Sequence, residues 1–211
     1  MKLMKTCAAA AAMVALAGTA QASEMTLVDG GLGVLDSDTQ LEWTANMNLN
    51  GKGTWAAANA WIDTLNTSNY AGHNDWRLPT IITSCGYGGS VYDCNGGELS
   101  HLFVNDLGNK ARESVRNHTD DTAEQIANFA LFSNVVPGGY WSGTEYPGNR
   151  GTAWYFMAGV GGVNYDAETN TLYAVAVRTA DVAAAVPEPQ TYAMLLMGLG
   201  AVLLAAKRRP V

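Results

Sequence analysis

Two short runs, Leu32 to Asp36 and Gln40 to Trp43, flank the turn residues Ser37 and Asp38. Strand-forming segments separated by Ser and Asp predict a β-hairpin. The period then changes. Trp55, Ala58, Ile62 and Leu65 recur at helical spacing behind Thr54, a residue that caps helices. Leu99, Leu102, Phe103 and Leu107 repeat that spacing after Gly97, with Gly108 where a left-handed C-cap belongs. A further short helix is expected within residues 119–134. Ala153 to Met157 and Leu172 to Arg178 are aromatic and β-branched runs bounded by Gly, Asn and Asp, and they predict C-terminal strands that pair with the first ones. The expectation is an α+β domain with two main helices and antiparallel strands.

The ends of the 211-residue chain follow other rules. Residues 1–22 place Lys2 and Lys5 before an apolar stretch from Cys7 to Ala17, with Ala20 and Ala22 ahead of Ser23, which is the layout of a secretory signal peptide. Residues 187–211 open on Pro187, Glu188 and Pro189, run without charge from Tyr192 to Ala206, and close on Lys207, Arg208 and Arg209. A helix over Thr191 to Ala206 would be about 24 Å long against a hydrocarbon core of about 30 Å, so it predicts a marginal membrane helix. The basic cluster places the rest of the chain outside the cytoplasm. Residues 23–186 are left as the folding body.

That body holds 7 basic and 18 acidic residues, a net charge of −11. Nucleic acid is excluded as a partner, because binding a polyanion requires a basic footprint. Export also decides the cysteine chemistry. With Cys7 removed, Cys85 and Cys94 form a lone pair in an oxidising compartment, and a disulfide between them is expected. His73, His101 and His118 show none of the close spacings that zinc sites use, so no metal is read. Asp36 with Asp38, or Asp120 with Asp121, lacks the periodic oxygen ligands of a calcium loop, and turn and cap roles are expected instead. Calcium is therefore unsupported and no cofactor is read.

The ordered tail of Pro187-Glu188-Pro189, apolar run and basic cluster resembles the PEP-CTERM sorting signal, which implies a membrane exosortase as partner. In the body, the blocks D-S-D-T-Q-L-E-W (36–43), D-W-R-L-P-T (75–80), E-L-S-H-L-F-V-N-D-L-G-N (98–109), Y-W-S-G-T-E (140–145), A-W-Y-F (153–156) and Y-A-V-A-V-R (173–178) occur in one order. Together they resemble the Lcl C-terminal-like domain. The resemblance implies a single C-type-lectin-like domain and, from the adhesin that names the family, attachment to sulfated polysaccharide. A body at −11 favours neutral polymers over sulfated ones.

Three groups of residues have a claim on function. Arg77 stands between Trp76 and Leu78, where an unpaired guanidinium would be costly, so it is expected to be a buried strut paired with Asp75 or Glu98. Trp141, Ser142, Thr144, Glu145 and Tyr146 set aromatics beside short polar groups, with Trp154 and Tyr155 nearby, which suits sugar rings. His101 follows Ser100 without a G-x-S-x-G elbow or a recognisable acid partner, so catalysis is not read. The R-L-P-T string also occurs in formylglycine-generating-type enzymes, but Cys85 and Cys94 do not sit in a matching motif. The reading is a non-enzymatic, exported module of the cell surface, outer envelope or extracellular matrix, transiently anchored in the inner membrane, that contacts polysaccharide or another extracellular polymer. The alternatives are a purely structural matrix protein and a relative of those enzymes.

Overall fold

Val34 pairs with Trp43 and Asp36 with Leu41 across the first hairpin, and period-2 alternation sends all four to one buried face. The structure, a computed structural model, describes residues 25–82, 90–92 and 96–181. Strands β1 (Met25–Val28), β2 (Gly33–Asp36), β3 (Leu41–Thr44) and β8 (Val177–Thr179) form one antiparallel sheet in the order β1-β2-β3-β8. Strands β4 (Val91–Tyr92), β5 (Gly139–Glu145), β6 (Thr152–Met157) and β7 (Gly162–Ala167) form a second, in the order β4-β7-β6-β5. The C-terminal strand returns to the N-terminal hairpin, as the pattern predicts. It is shorter than expected: Leu172 and Tyr173 make only isolated bridges, to Gly53 and Tyr140.

Helix α1 (Trp55–Thr67) is capped by Thr54, whose hydroxyl accepts from Ala57 N, and it buries Ala58, Ile62 and Leu65. A third helix joins the two main ones: α3 (Ala123–Leu131) carries a reciprocal capping box between Thr122 and Gln125. The second helix departs from a regular α-helix. After α2 (Glu98–Ser100) the chain continues as a π-helical turn over His101–Asp106. Leu107 N donates five residues back to Leu102 O at 3.0 Å. Leu102, Phe103 and Leu107 remain fully buried, so the wider turn keeps the apolar face while changing which polar residues stand together.

Two apolar clusters lie on opposite faces of the second sheet. Trp43, Phe103, Tyr140, Trp154 and Phe156 belong to the larger, where Phe103 and Phe156 stack with centroids 4.8 Å apart. Ile62, Leu65, Trp76, Trp141 and Ala153 belong to the smaller, under α1. Consecutive residues of β5 and β6 can both be buried because each sheet face has its own core.

Cys85 and Cys94, residues 1–22, and Pro187, Glu188 and Pro189 with the rest of 187–211 lie outside the described residues. Among the described residues no helix is long and apolar enough to cross a membrane.

Gly108 has φ +71, and a Cβ placed there would stand 2.7 to 2.8 Å from the Asp121 carboxyl group. That carboxylate is fully buried, held by Lys110 Nζ at 3.1 Å and His118 Nδ1 at 2.8 Å. Gly108→Ala should therefore lower the unfolding free energy by about 2 to 3 kcal/mol, combining left-handed strain with displacement of the pair. Urea denaturation checks it, and a loss under about 0.5 kcal/mol would contradict the cap geometry.

Candidate functional site

The most buried cation of the described residues is Arg178, whose side chain is 4% exposed. Its Nη1 donates to Glu42 Oε2 at 2.9 Å, Nε to Asp75 Oδ1 at 2.6 Å, and Nη2 to Asp181 Oδ2 at 2.7 Å. Glu42 and Arg178 are direct cross-strand partners between β3 and β8. Burial opposes the guanidinium charge, but the three carboxylates outweigh it and hold Arg178 above its ordinary pKa. Asp75 is lowered by its bond to Arg178. Glu42 moves the other way: burial first, then the neighbouring Asp29, keep its carboxyl above the ordinary range despite Arg178. Glu42 Oε1 is buried without a hydrogen-bond partner, and Asp29, Glu42 and His73 bring ligand atoms within 4.8 Å of one another. A cavity of about 170 Å³ opens there, lined by Asp29, Glu42, His73 and Arg178.

Arg77 is paired as expected, and with only one of its two candidates. Its Nη1 and Nη2 donate to Glu98 Oε2 at 2.6 Å and Oε1 at 2.5 Å, a fork-on-fork bridge, while Asp75 goes to Arg178. The expectation of burial is corrected: the Arg77 side chain is 40% exposed. Its backbone carries the structural role, since Arg77 and Val177 exchange both N–H···O bonds at 2.9 Å and extend the first sheet beyond β8. Trp76 is buried, its Nε1 donating to Tyr70 O at 3.0 Å. Glu98 also accepts from Thr80 N at 2.8 Å. Desolvation raises the Glu98 pKa, but Arg77 and Thr80 overcome it and the net direction is down.

The expected aromatic platform is not assembled. Trp141 and Ser142 are 0% exposed. Trp141 Nε1 donates to Gly53 O at 3.0 Å and Ser142 Oγ to Trp154 O at 2.9 Å, so both are buried, Trp141 in the cluster under α1. A bulge between Trp141 and Glu145 shifts the register against β6, and beyond it Glu145 is exposed while Thr144 and Tyr146 are half-buried. Tyr146 stacks on Tyr165 with centroids 4.0 Å apart and meets Trp154 edge-on. The aromatic pair at the surface is thus Tyr146 with Tyr165. Tyr165 carries no sequence signal that separates it from a core tyrosine.

His101 has the acid partner that its sequence neighbourhood conceals. Its Nε2 stands 3.4 Å from Asp106 Oδ1, five residues away, because a π turn superimposes positions i and i+5. Asp36 arrives from β2, and Asp36, His101 and Asp106 place ligand atoms within 4.8 Å of one another. The absence of close His spacings hid both such clusters, since their members come from separate elements. Asp36 also has its expected turn role, accepting from Asp38 N at 3.0 Å and from the Thr39 hydroxyl. Asp121 exceeds a cap role through its ion pairs with Lys110 and His118.

These features define a small α+β module with two antiparallel sheets and surface-opening acidic clusters. Residues 33–84, about a quarter of the chain, match the family model of the Lcl C-terminal domain. Residues 185–209 match the PEP-CTERM protein-sorting motif, which implies recognition by an exosortase. No curated protein matches the chain.

The Arg77 bridge sets a pH-dependent prediction. Glu98→Gln or Arg77→Ala should cost about 1 to 2 kcal/mol at neutral pH, less than a fully buried pair because of solvent screening. Glu98 titrates below its unfolded value of 4.5. Its contribution is therefore complete above that value and disappears as pH falls through the lower folded one. Urea unfolding at pH 7 and pH 3 should show the gap between wild type and Glu98→Gln closing in acid. A gap constant with pH would refute the pairing as the source of stability.

Proposed function

We propose that the protein is an exported, non-enzymatic module of the cell surface or extracellular matrix, related to C-type-lectin-like domains and sorted by an exosortase. The observation that carries this reading is the match of residues 185–209 to the PEP-CTERM motif. It begins after β8, which ends at Thr179, so removal of the tail leaves every described strand intact. The match of residues 33–84 to the Lcl C-terminal domain supports an adhesive body.

The proposed polymer contact is the rim where Tyr146 stacks on Tyr165, with Thr144 and Glu145 beside it. Aromatic rings contact sugar C–H groups through their faces, and the neighbouring polar atoms supply direction. A body of charge −11 favours neutral or weakly charged polymer there.

Expression in a host with an exosortase tests both parts. Wild type should be shortened near residues 186–189 and recovered with extracellular polysaccharide. Replacing Pro187, Glu188 and Pro189 by alanine should leave a full-length, membrane-bound chain. Identical processing of the two forms would refute the sorting role, and processed wild type recovered free of polymer would refute the binding role.

A further inference from the structure

We infer that Asp36, His101 and Asp106 form a binding site for one divalent transition-metal ion, such as zinc or manganese. The argument begins with an oxygen. The Asp106 side chain is 8% exposed, its Oδ2 is buried with no hydrogen-bond partner, and it lines a cavity of about 310 Å³. A buried carboxylate oxygen without a donor is costly, and no lysine or arginine lines that cavity to supply one. The groups that face it are Asp38, His101, Glu124 and the amides of Asn105, Gln125 and Asn128, with Asp36 behind. A cation supplies the missing partner.

The geometry selects the kind of cation. His101 Nε2 and Asp106 Oδ1 are 3.4 Å apart, and two ligands about 2.0 to 2.1 Å from a tetrahedral ion stand about 3.3 Å apart. The backbone provides this spacing through the π turn, which puts residues 101 and 106 on one face. Asp36 contributes the third ligand from another element, with its carboxylate already oriented by Asp38 N and the Thr39 hydroxyl. Asn105 Nδ2 lies 3.2 Å from His101 Nδ1, and with the amide turned, its oxygen accepts the Nδ1 proton and leaves Nε2 for the metal. One imidazole with two carboxylates suits zinc, manganese or iron(II) better than calcium or magnesium, which prefer oxygen alone. Remaining coordination positions face the cavity, where water or a polymer hydroxyl can reach the ion.

The test uses the full chain, purified from membranes in detergent and freed of metal. Zinc chloride is titrated calorimetrically, and manganese chloride by electron paramagnetic resonance of the free ion. Wild type should bind one equivalent of each with micromolar affinity or tighter, and zinc should raise the thermal unfolding temperature. His101→Gln and Asp106→Asn should each weaken binding at least about tenfold. His73→Gln, a partly exposed member of the other cluster, should bind as wild type does. His101 is 33% exposed, so its substitution leaves the core unchanged and circular dichroism should match wild type. No stoichiometric binding by wild type would overturn the site. So would variants at 101 and 106 that bind normally, or affinity lost only in His73→Gln.

Discussion

One guanidinium closes this domain. Arg178 stands 136 residues from Glu42 in sequence and bonds to it inside the protein, where neither charge tolerates the loss of the other. The same side chain holds Asp75, beside the R-L-P-T segment, and Asp181, at the end of the described chain. Removing Arg178 would leave Glu42 buried beside Asp29, with His73 nearby as a counter-charge. The register of β8 against β3 and the bridge from Val177 to Arg77 are fixed where that pairing falls. In a body with 7 basic residues against 18 acidic ones, placing one cation among three carboxylates is a strong constraint.

Local structure was legible where one face of one element decided it. Thr54 with Trp55, Ala58, Ile62 and Leu65 specified α1, and Ser37 with Asp38 specified the first hairpin. Gly108 marked the end of the second helix. The π turn was not legible, because Leu102, Phe103 and Leu107 satisfy helical and π spacing equally well while His101 and Asp106 change neighbours. Trp141 and Ser142 misled for a related reason. A strand with a single core alternates, but β5 lies between two cores and buries consecutive residues, so its polar serine gave no sign of being inside. The two arginines could not be ranked from their flanks. Both sit beside apolar residues, and only the tertiary pairing leaves Arg77 half-exposed and Arg178 enclosed.

The distribution of acid groups follows from this arrangement. Those around Arg178 and Lys110 are neutralised by a cation, whereas Asp106, with Asp36 close by, faces a cavity whose lining supplies none but His101. An anionic exported protein can keep such a pocket where divalent ions are available to fill it. The sorting-motif match, residues 185–209, begins in sequence after the last described strand.

The enclosed guanidinium is tested most directly by equilibrium urea unfolding of the full chain beside Arg178→Ala and Arg178→Lys. Breaking the network should cost about 3 to 5 kcal/mol in the alanine variant. Lysine should recover less than half of that, about 1 to 2 kcal/mol, because an ammonium cannot reach three carboxylates with the planar fork. A loss under about 1 kcal/mol for Arg178→Ala, the scale of an exposed pair, would contradict the claim that this residue closes the fold.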